Sequence, residues 1–196
     1  MSNYKLPPIS EVCFLSESQQ KELLDHLFEH CETLHGYLIP KLFQTPEVKF
    51  ATYKDFIEQV RLELLWFLSA EIANAKTSGA TIDPRISKII AAHPRLGAPK
   101  KQQVVNLSVH SAKEQASLSS SSEEEKFRLQ QLNDLYESTF PGLRYVVFVN
   151  GRSRDIIMKN MEERIQRNDI NEERKEAFNA MCDIALDRAT KLGAKL

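Results

Sequence analysis

Apolar residues recur at helical spacing along almost the whole chain, and this periodicity limits the fold more than any other feature. Patterns typical of a helix N-terminus precede several of these stretches, at Ser16 to Gln19, Thr52 to Asp55 and Ser122 to Glu125. Asn171 is expected to cap the last helix. Only Tyr145 to Val149 resembles a strand, and no second strand is predicted to pair with it. The sequence therefore predicts one all-α domain over its 196 residues, a helical bundle of about seven to nine helices.

The composition narrows the class of protein. There are 26 basic and 27 acidic side chains, so the formal net charge is −1 and no strong overall field attracts a nucleic acid or an anionic membrane. Cys13, Cys31 and Cys182 are too scattered for a disulfide framework or a zinc motif, which favours reduced thiols in an intracellular protein. No Gly-rich phosphate loop and no run of membrane-spanning length is present. We therefore expect neither a nucleic-acid partner, a membrane nor a metal.

His93 stands at the predicted end of a helix. Asp83-Pro84 has the pattern of an N-cap followed by proline in the first turn, and Ile86 and Ile90 lie on an apolar face that His93 extends. Pro94 cannot continue a helix, so His93 lies in the last turn or just past it. There the negative end of the helix dipole favours imidazolium, which suits a proton donor near neutral pH. The alternative is a histidine that only caps the helix.

Two further polar motifs can either cap a helix or bind a ligand. Ser111 to Gln115 has the Ser-x-x-Glu pattern of a capping box. Its hydroxyl, carboxylate and amide can also hold a polar ligand on an exposed first turn. Ser153 is expected to be an N-cap, and the preceding Arg152 is either a surface charge or a clamp for a carboxylate.

The remaining charged and titratable groups are interpreted as structural. Glu162 to Arg164, together with Arg167, are predicted to form a solvated helix face with ion pairs at i,i+4 spacing. His26, His30 and His35 have no carboxylate at ligand spacing, so they are interpreted as surface or packing residues.

Three segments, taken together and in order, resemble the 2-oxo-4-hydroxy-4-carboxy-5-ureidoimidazoline (OHCU) decarboxylases of urate breakdown. They are His93-Pro94-x-Leu96-Gly97, then Ser111-x-x-Glu114-Gln115, then Tyr145 to Val149 running into Gly151-Arg152-Ser153. The resemblance extends over most of the chain and is closest to a fungal branch. It implies an all-α, typically dimeric enzyme that needs no metal or organic cofactor and converts OHCU to (S)-allantoin and carbon dioxide.

The chain departs from the family pattern at three places. Arg95 stands where the family has an acidic residue after His-Pro, and Phe140 to Tyr145 replaces a Phe-Gly-Phe-Pro-Phe-like segment. His30-Cys31-Glu32 stands where many members have a Ser-Pro-Trp-like turn.

The resemblance also implies roles for individual residues. His93 is the expected general acid, because the electron pair left by carbon dioxide must be protonated on one face of the ring. Glu114 is expected to act with it and to grip the N–H groups of the ureide substrate. The expected substrate-binding residues are Pro94, Ser111, Gln115, Tyr145, Val146, Val147, Phe148, Val149 and Arg152.

Two other functions fit the same residues. One is another metal-independent lyase or hydrolase that acts on a ureide. The other is a non-catalytic helical adaptor, in which His93-Pro94 only ends a helix and Ser111 to Glu114 only caps one.

The tripeptide Ala194-Lys195-Leu196 is close to the Ser-Lys-Leu address of peroxisomal proteins. It follows Gly193, which can end a helix and leave a tail free. We therefore expect binding to the peroxisomal import receptor and a peroxisomal location. The alternative is a chance ending of a basic helix, with a cytoplasmic location.

Overall fold

The structure is a computed structural model that describes residues 4–44, 49–97 and 122–195. These residues form a 3-10 helix, Ile9–Phe14, and seven α-helices, with no β-strand among them. The α-helices are α1 Glu17–Leu27, α2 Glu32–Leu42, α3 Tyr53–Ser78, α4 Pro84–Ala91, α5 Glu123–Thr139, α6 Arg154–Arg167 and α7 Ile170–Lys191. The prediction of an all-α fold is confirmed.

Most helices begin where the sequence patterns place them. Ser16, Thr52 and Ser122 each accept a hydrogen bond from the backbone N–H of the third helical residue, and that residue's side chain accepts one from the backbone N–H of the cap. The expected cap of the last helix is wrong by two residues. Asp169 caps α7, and its Oδ1 accepts hydrogen bonds from the amides of Asn171 and Glu172, both at 3.0 Å. Asn171 lies in the first turn, so its own amide needs this acceptor.

The two longest helices, α3 and α7, pack against each other at the centre of the molecule. Helices α1 and α4 also pack on α7, α2 packs on α1, α3 and α4, and α5 packs on α6. Fully buried apolar side chains come from many elements, including Phe28, Phe56 and Phe178. Helix α7 therefore contacts both the end of α1 and helix α4, and this arrangement brings distant residues to one site.

Residues 145–149 connect α5 to α6 without regular secondary structure. A buried carbonyl in such a segment needs a donor from elsewhere. Val146 O accepts a hydrogen bond from Arg164 Nη1 at 3.1 Å. The buried Glu173 carboxylate pairs with the same guanidinium at 2.7 Å. The prediction that Arg164 belongs to a solvated face is therefore wrong, because it is turned inward by a backbone acceptor and a carboxylate of α7.

No helix within the described ranges combines the length and the apolar character needed to cross a lipid bilayer.

Candidate active site

His93 lies just past the end of α4, where its amide donates a hydrogen bond to Ile90 O at 3.2 Å. Its side chain is buried, and neither ring nitrogen has a hydrogen-bond partner among the described residues. A buried polar group without a partner is uncommon and points to a ligand or a catalytic role. The position of His93 at the helix end is as the sequence predicts.

The protonation state expected for His93 is wrong. Burial of the imidazole lowers the pKa of His93 to about 4, because a buried cation loses its hydration. The Glu29 carboxylate acts in the opposite direction, and the Arg188 guanidinium adds to the lowering. Loss of hydration therefore outweighs the helix dipole, and His93 is a neutral imidazole at pH 7.

Glu29 and Arg188 form a buried ion pair beside His93. Arg188 Nη2 lies 2.7 Å from Glu29 Oε1, and Arg188 Nη1 donates to Phe28 O at 3.0 Å. Both side chains are almost fully enclosed. Sequence reasoning missed both residues. Arg188 carried a signal, however, because it stands between the buried Ala185 and Ala189 on the apolar face of α7.

The turn that carries His93 is attached firmly to α5. Arg95 pairs with Asp134 and, at 2.7 Å, with Glu137 on α5. Asn133 Nδ2 donates to Leu96 O at 3.0 Å. Arg95, which departs from the family pattern, thus has a structural role here, and the adjoining Pro94 is partly exposed.

Gly97 closes the same turn in a conformation that disfavours other residues. Its φ is +72°, and a Cβ at this position would lie only 2.5 Å from Leu129 Cδ2. Glycine is therefore favoured here by the positive φ, and a larger residue would also have to displace the end of the Leu129 side chain.

The segment Tyr145 to Val149 is held by hydrogen bonds to α6 and to Arg152. Tyr145 is buried and its hydroxyl donates to Asn160 Oδ1 at 2.6 Å, while Val146 is buried and bound through its carbonyl to Arg164. Val147, Phe148 and Val149 are partly buried. Arg152 donates to the carbonyls of Phe148 and, at 3.2 Å, of Val149. In this structure Arg152 therefore fixes the backbone of the segment.

Three predicted site residues, Ser111, Glu114 and Gln115, lie outside the described residues. The structure instead brings His93 together with Glu29 and Arg188, two residues that the sequence analysis did not predict to be part of the site. Among the described residues, the hydrogen bonds of Tyr145 to Val149 lead to α6 and to Arg152 rather than to His93.

His30 is exposed and His35 is buried, in keeping with their interpretation as surface or packing residues, but a carboxylate that their sequence spacing did not indicate lies beside both. Asp25 Oδ2 lies 2.7 Å from His30 Nδ1, and Asp25 Oδ1 lies 2.7 Å from His35 Nε2. Helical folding of residues 17–27 and 32–42 brings the three side chains together across the turn, although their sequence spacing matches no simple metal motif. His26 packs differently, with its ring stacked on Tyr4 at 3.7 Å between centroids.

The site offers two chemical capacities in one enclosed place. A neutral imidazole without a partner can accept a proton from a ligand and return it. A buried guanidinium can orient a carboxylate. Together, fold and site define an all-helical protein with an enclosed imidazole that can exchange a proton with a ligand and with a buried ion pair beside it.

The chain belongs to the OHCU decarboxylase family, whose model matches residues 14–190. The family indicated by the sequence motifs is thus confirmed. Among solved structures the chain is similar to one described as the crystal structure of (S)-allantoin synthase, with a TM-score of 0.58 and 13% identity. The match covers 95% of this chain and 54% of that one, so the chain spans about half the length of this solved relative. At such low identity the likeness shows the fold. No curated protein sequence matches the chain significantly.

Proposed function

We propose that this protein decarboxylates OHCU to (S)-allantoin and carbon dioxide in urate catabolism. Membership of the OHCU decarboxylase family supports the proposal. The observation that carries it is the buried His93 imidazole, which is neutral, has no hydrogen-bond partner among the described residues, and lies beside the Arg188–Glu29 pair.

The name of the substrate places a hydroxyl and a carboxylate on the same ring carbon. In the proposed reaction, Arg188 orients the carboxylate and the neutral His93 takes the hydroxyl proton. The bond to the carboxylate carbon breaks, its electron pair passes into the ring, and carbon dioxide leaves. His93 then returns its proton to a ring carbon on one face. Because the substrate reacts as its carboxylate, the ring nitrogen that receives the electron pair also takes up one proton from water. The carboxylate and that proton together contain all the atoms of allantoin and carbon dioxide.

Glu29 has a supporting role in this scheme. It holds the Arg188 guanidinium in place and offsets its charge. A fully unpaired cation would bind the substrate carboxylate strongly before reaction. That attraction would weaken as the carboxylate becomes neutral carbon dioxide, so it would not stabilise the transition state relative to the bound substrate. The pairing therefore favours orientation of the carboxylate over tight ground-state binding.

The other substrate contacts are proposed from the family motifs. Glu114, with Ser111 and Gln115, grips the ureido and ring N–H groups and so selects the face presented to His93. Pro94 and the segment Tyr145 to Val149 complete the binding surface, and Arg152 keeps that segment in shape.

The decisive experiment is a circular-dichroism time course on freshly prepared OHCU. The proposal predicts formation of one enantiomer of allantoin much faster than in buffer. Formation of racemic product at the buffer rate would overturn it. Activity on a different ureide would then indicate the alternative lyase or hydrolase, and no activity on any ureide would indicate an adaptor.

We also propose that the protein is a homodimer, as the family resemblance implies. An apolar surface suited to self-association is available on α3, where Leu62 and Trp66 are 61% and 64% exposed one helical turn apart. Light scattering on the wild-type protein and on Trp66→Glu tests this. A monomeric mass for the wild type would contradict the proposal.

A peroxisomal location is proposed on the tripeptide Ala194-Lys195-Leu196. Helix α7 ends in a Schellman motif, in which Gly193 has φ +90° and the Ala194 amide donates to Ala189 O at 2.9 Å. Lys195 is exposed, but Ala194 is partly buried, so the import receptor must release Ala194 from the cap.

A fluorescent fusion at the N-terminus is expected to give puncta that coincide with a peroxisomal marker. The same fusion without residues 194–196 is expected to be diffuse, with unchanged catalysis. Diffuse fluorescence from the intact fusion would overturn the localisation.

A further inference from the structure

The turn between α1 and α2 gathers two imidazoles around one carboxylate. Asp25 on α1 lies 2.7 Å from His30 Nδ1 through one oxygen and 2.7 Å from His35 Nε2 through the other. One ligand atom from each of the three residues lies within 4.8 Å of the other two. We propose that Asp25, His30 and His35 form a binding site for a divalent transition-metal ion of the Zn²⁺ type.

A second carboxylate lies on the outer side of both rings. Glu32 Oε1 is 3.7 Å from His30 Nε2, and Glu32 Oε2 is 3.8 Å from His35 Nδ1. His35 is buried, and its Nδ1 has no hydrogen-bond partner among the described residues. Metal-bound histidines donate their other ring N–H to a carboxylate, which fixes the ring and strengthens the metal bond. Glu32 supplies that partner to both rings with a small movement of its exposed side chain.

The Asp25 oxygens, His30 Nδ1 and His35 Nε2 are spaced close to what a metal ion requires. Ligand atoms at about 2.0–2.2 Å from a tetrahedral zinc ion lie roughly 3.4 Å apart. The 2.7 Å contacts must therefore open by about 0.7 Å. His30 and Asp25 retain 47% and 31% side-chain exposure, so they can move outward, whereas the buried His35 stays fixed. A solvent molecule takes the fourth position on the exposed side.

The donor set favours a transition metal over magnesium or calcium. Imidazole nitrogen suits Zn²⁺, Cu²⁺ and Ni²⁺, whereas Mg²⁺ and Ca²⁺ prefer sites made of oxygen. An ion here joins α1 to α2 across the turn that carries Phe28 and Glu29, the two residues bound by Arg188. The site is separate from His93 and stabilises the turn that supports the candidate active site.

The test begins with protein freed of metal by a chelator. Zn²⁺ is then titrated against a chromophoric chelator, and the melting temperature is recorded with and without Zn²⁺. We expect one ion per chain and a raised melting temperature, because the ion binds only the folded state. Co²⁺ added in place of Zn²⁺ is expected to give visible bands of nitrogen and oxygen ligation without thiolate charge-transfer bands.

Variants identify the ligands. His30→Gln and Asp25→Asn are expected to abolish Zn²⁺ binding and the melting-temperature shift. Glu32→Gln is expected to weaken binding about 10- to 100-fold, as loss of an outer carboxylate does. His26→Gln on the same helix and Cys31→Ser in the same turn are the controls and are expected to bind Zn²⁺ like the wild type.

Since His30 is half-exposed, His30→Gln is expected to fold, and far-UV circular dichroism checks this. Wild-type Zn²⁺ affinity no greater than that of His30→Gln would overturn the proposal, leaving a network of hydrogen bonds. Loss of binding in Cys31→Ser, or thiolate bands with Co²⁺, would overturn it equally.

Discussion

Arg188 on α7 and Glu29 in the α1–α2 turn form an ion pair of 2.7 Å that is almost completely enclosed. Removing two charges from water costs free energy that their attraction only partly returns, so such a pair is weak evidence for stability. Its position is more informative, because both charges act on the pKa of His93. The pair therefore belongs to the candidate active site.

The first prediction concerns the shape of the Arg188 side chain. Arg188→Lys keeps the positive charge but loses the planar fork that binds Glu29 and the Phe28 carbonyl together. We expect kcat/KM for OHCU to fall at least about tenfold, equivalent to ~1.4 kcal/mol of transition-state stabilisation. The protein is expected to remain folded by far-UV circular dichroism.

Arg61→Lys is the matched control for Arg188→Lys. Arg61 is a largely buried arginine of α3 that pairs with Asp183 and Glu58, away from the interactions of His93. We expect this variant to keep its kcat/KM. An equal loss of activity in both variants would show that Arg188 acts on stability alone.

The second prediction concerns His93. His93→Asn replaces the imidazole by a smaller polar group that cannot exchange a proton near neutral pH. Turnover is expected to fall by about a hundredfold or more, with the helical signal retained. His26 stacks on Tyr4, and its substitution serves as the control. We expect His26→Asn to turn over OHCU at the wild-type rate. Wild-type turnover by His93→Asn would contradict the assignment.

Local structure was predictable wherever a short stretch of sequence determines it. The Asp83-Pro84 start of α4 and the caps at Ser16, Thr52 and Ser122 are all confirmed, because each depends on residues within one turn. The same reasoning placed His93 correctly at the end of α4. Its pKa was predicted wrongly, because burial is a property of the whole fold.

Contacts between distant residues could not be predicted from spacing. Glu29 and Arg188 are 159 positions apart and meet only because α7 packs on both α1 and α4. Arg164 is turned inward by the Val146 carbonyl and by Glu173 and Glu176, which all lie outside its own helix. The spacing of a single sequence can place Arg188 on the apolar face of α7, but it does not identify the partners of either arginine.

The third prediction concerns the pH dependence of catalysis. Burial holds the pKa of His93 at about 4 in the free protein. The proposed reaction begins with a neutral imidazole, and kcat/KM reports the pKa values of the free enzyme. We therefore expect no loss of kcat/KM that is due to His93 between pH 7 and pH 5, and a fall as the pH approaches 4. A fall centred near pH 6.5 would mean that His93 titrates as if exposed to solvent.

The fourth prediction concerns the pH dependence of stability, because the lowered pKa of His93 links proton binding to the free energy of unfolding. The pKa of His93 is lower in the folded protein than its ordinary value of 6.5, so between pH 6.5 and 4 the unfolded chain binds more protons. The free energy of unfolding therefore falls as the pH falls through this window, by about 3 kcal/mol from this residue. Urea unfolding at pH 7.5 and 4.5 is expected to show a smaller decrease for His93→Asn than for the wild type. Equal decreases would contradict the buried, neutral state of His93.

The last prediction concerns the buried contacts beneath Tyr145 to Val149. Glu173 is fully buried and accepts hydrogen bonds from the Tyr136 hydroxyl at 2.6 Å and from Arg164 Nε at 2.8 Å. Arg164→Met replaces the guanidinium by an uncharged side chain of similar length. The Val146 carbonyl then loses its donor, and the buried charge of Glu173 loses one of its positively charged partners. Breaking one side of a buried ion pair costs about 3–5 kcal/mol, and we expect a loss of that order in the free energy of unfolding.

Arg128→Met provides the control for Arg164→Met, because Arg128 pairs with Glu162 at 2.8 Å on the exposed surface of α5. Water and salt screen such a pair, so its loss is expected to leave stability nearly unchanged. Urea unfolding of both variants at pH 7 measures the difference. The folded fraction of Arg164→Met is also expected to show a raised KM for OHCU, since the segment Tyr145 to Val149 loses one of its attachments to α6. If the two substitutions cost the same free energy, the inward-facing Arg164 contributes no more than a surface charge, and the segment is held by apolar packing and by its hydrogen bonds to Asn160 and Arg152.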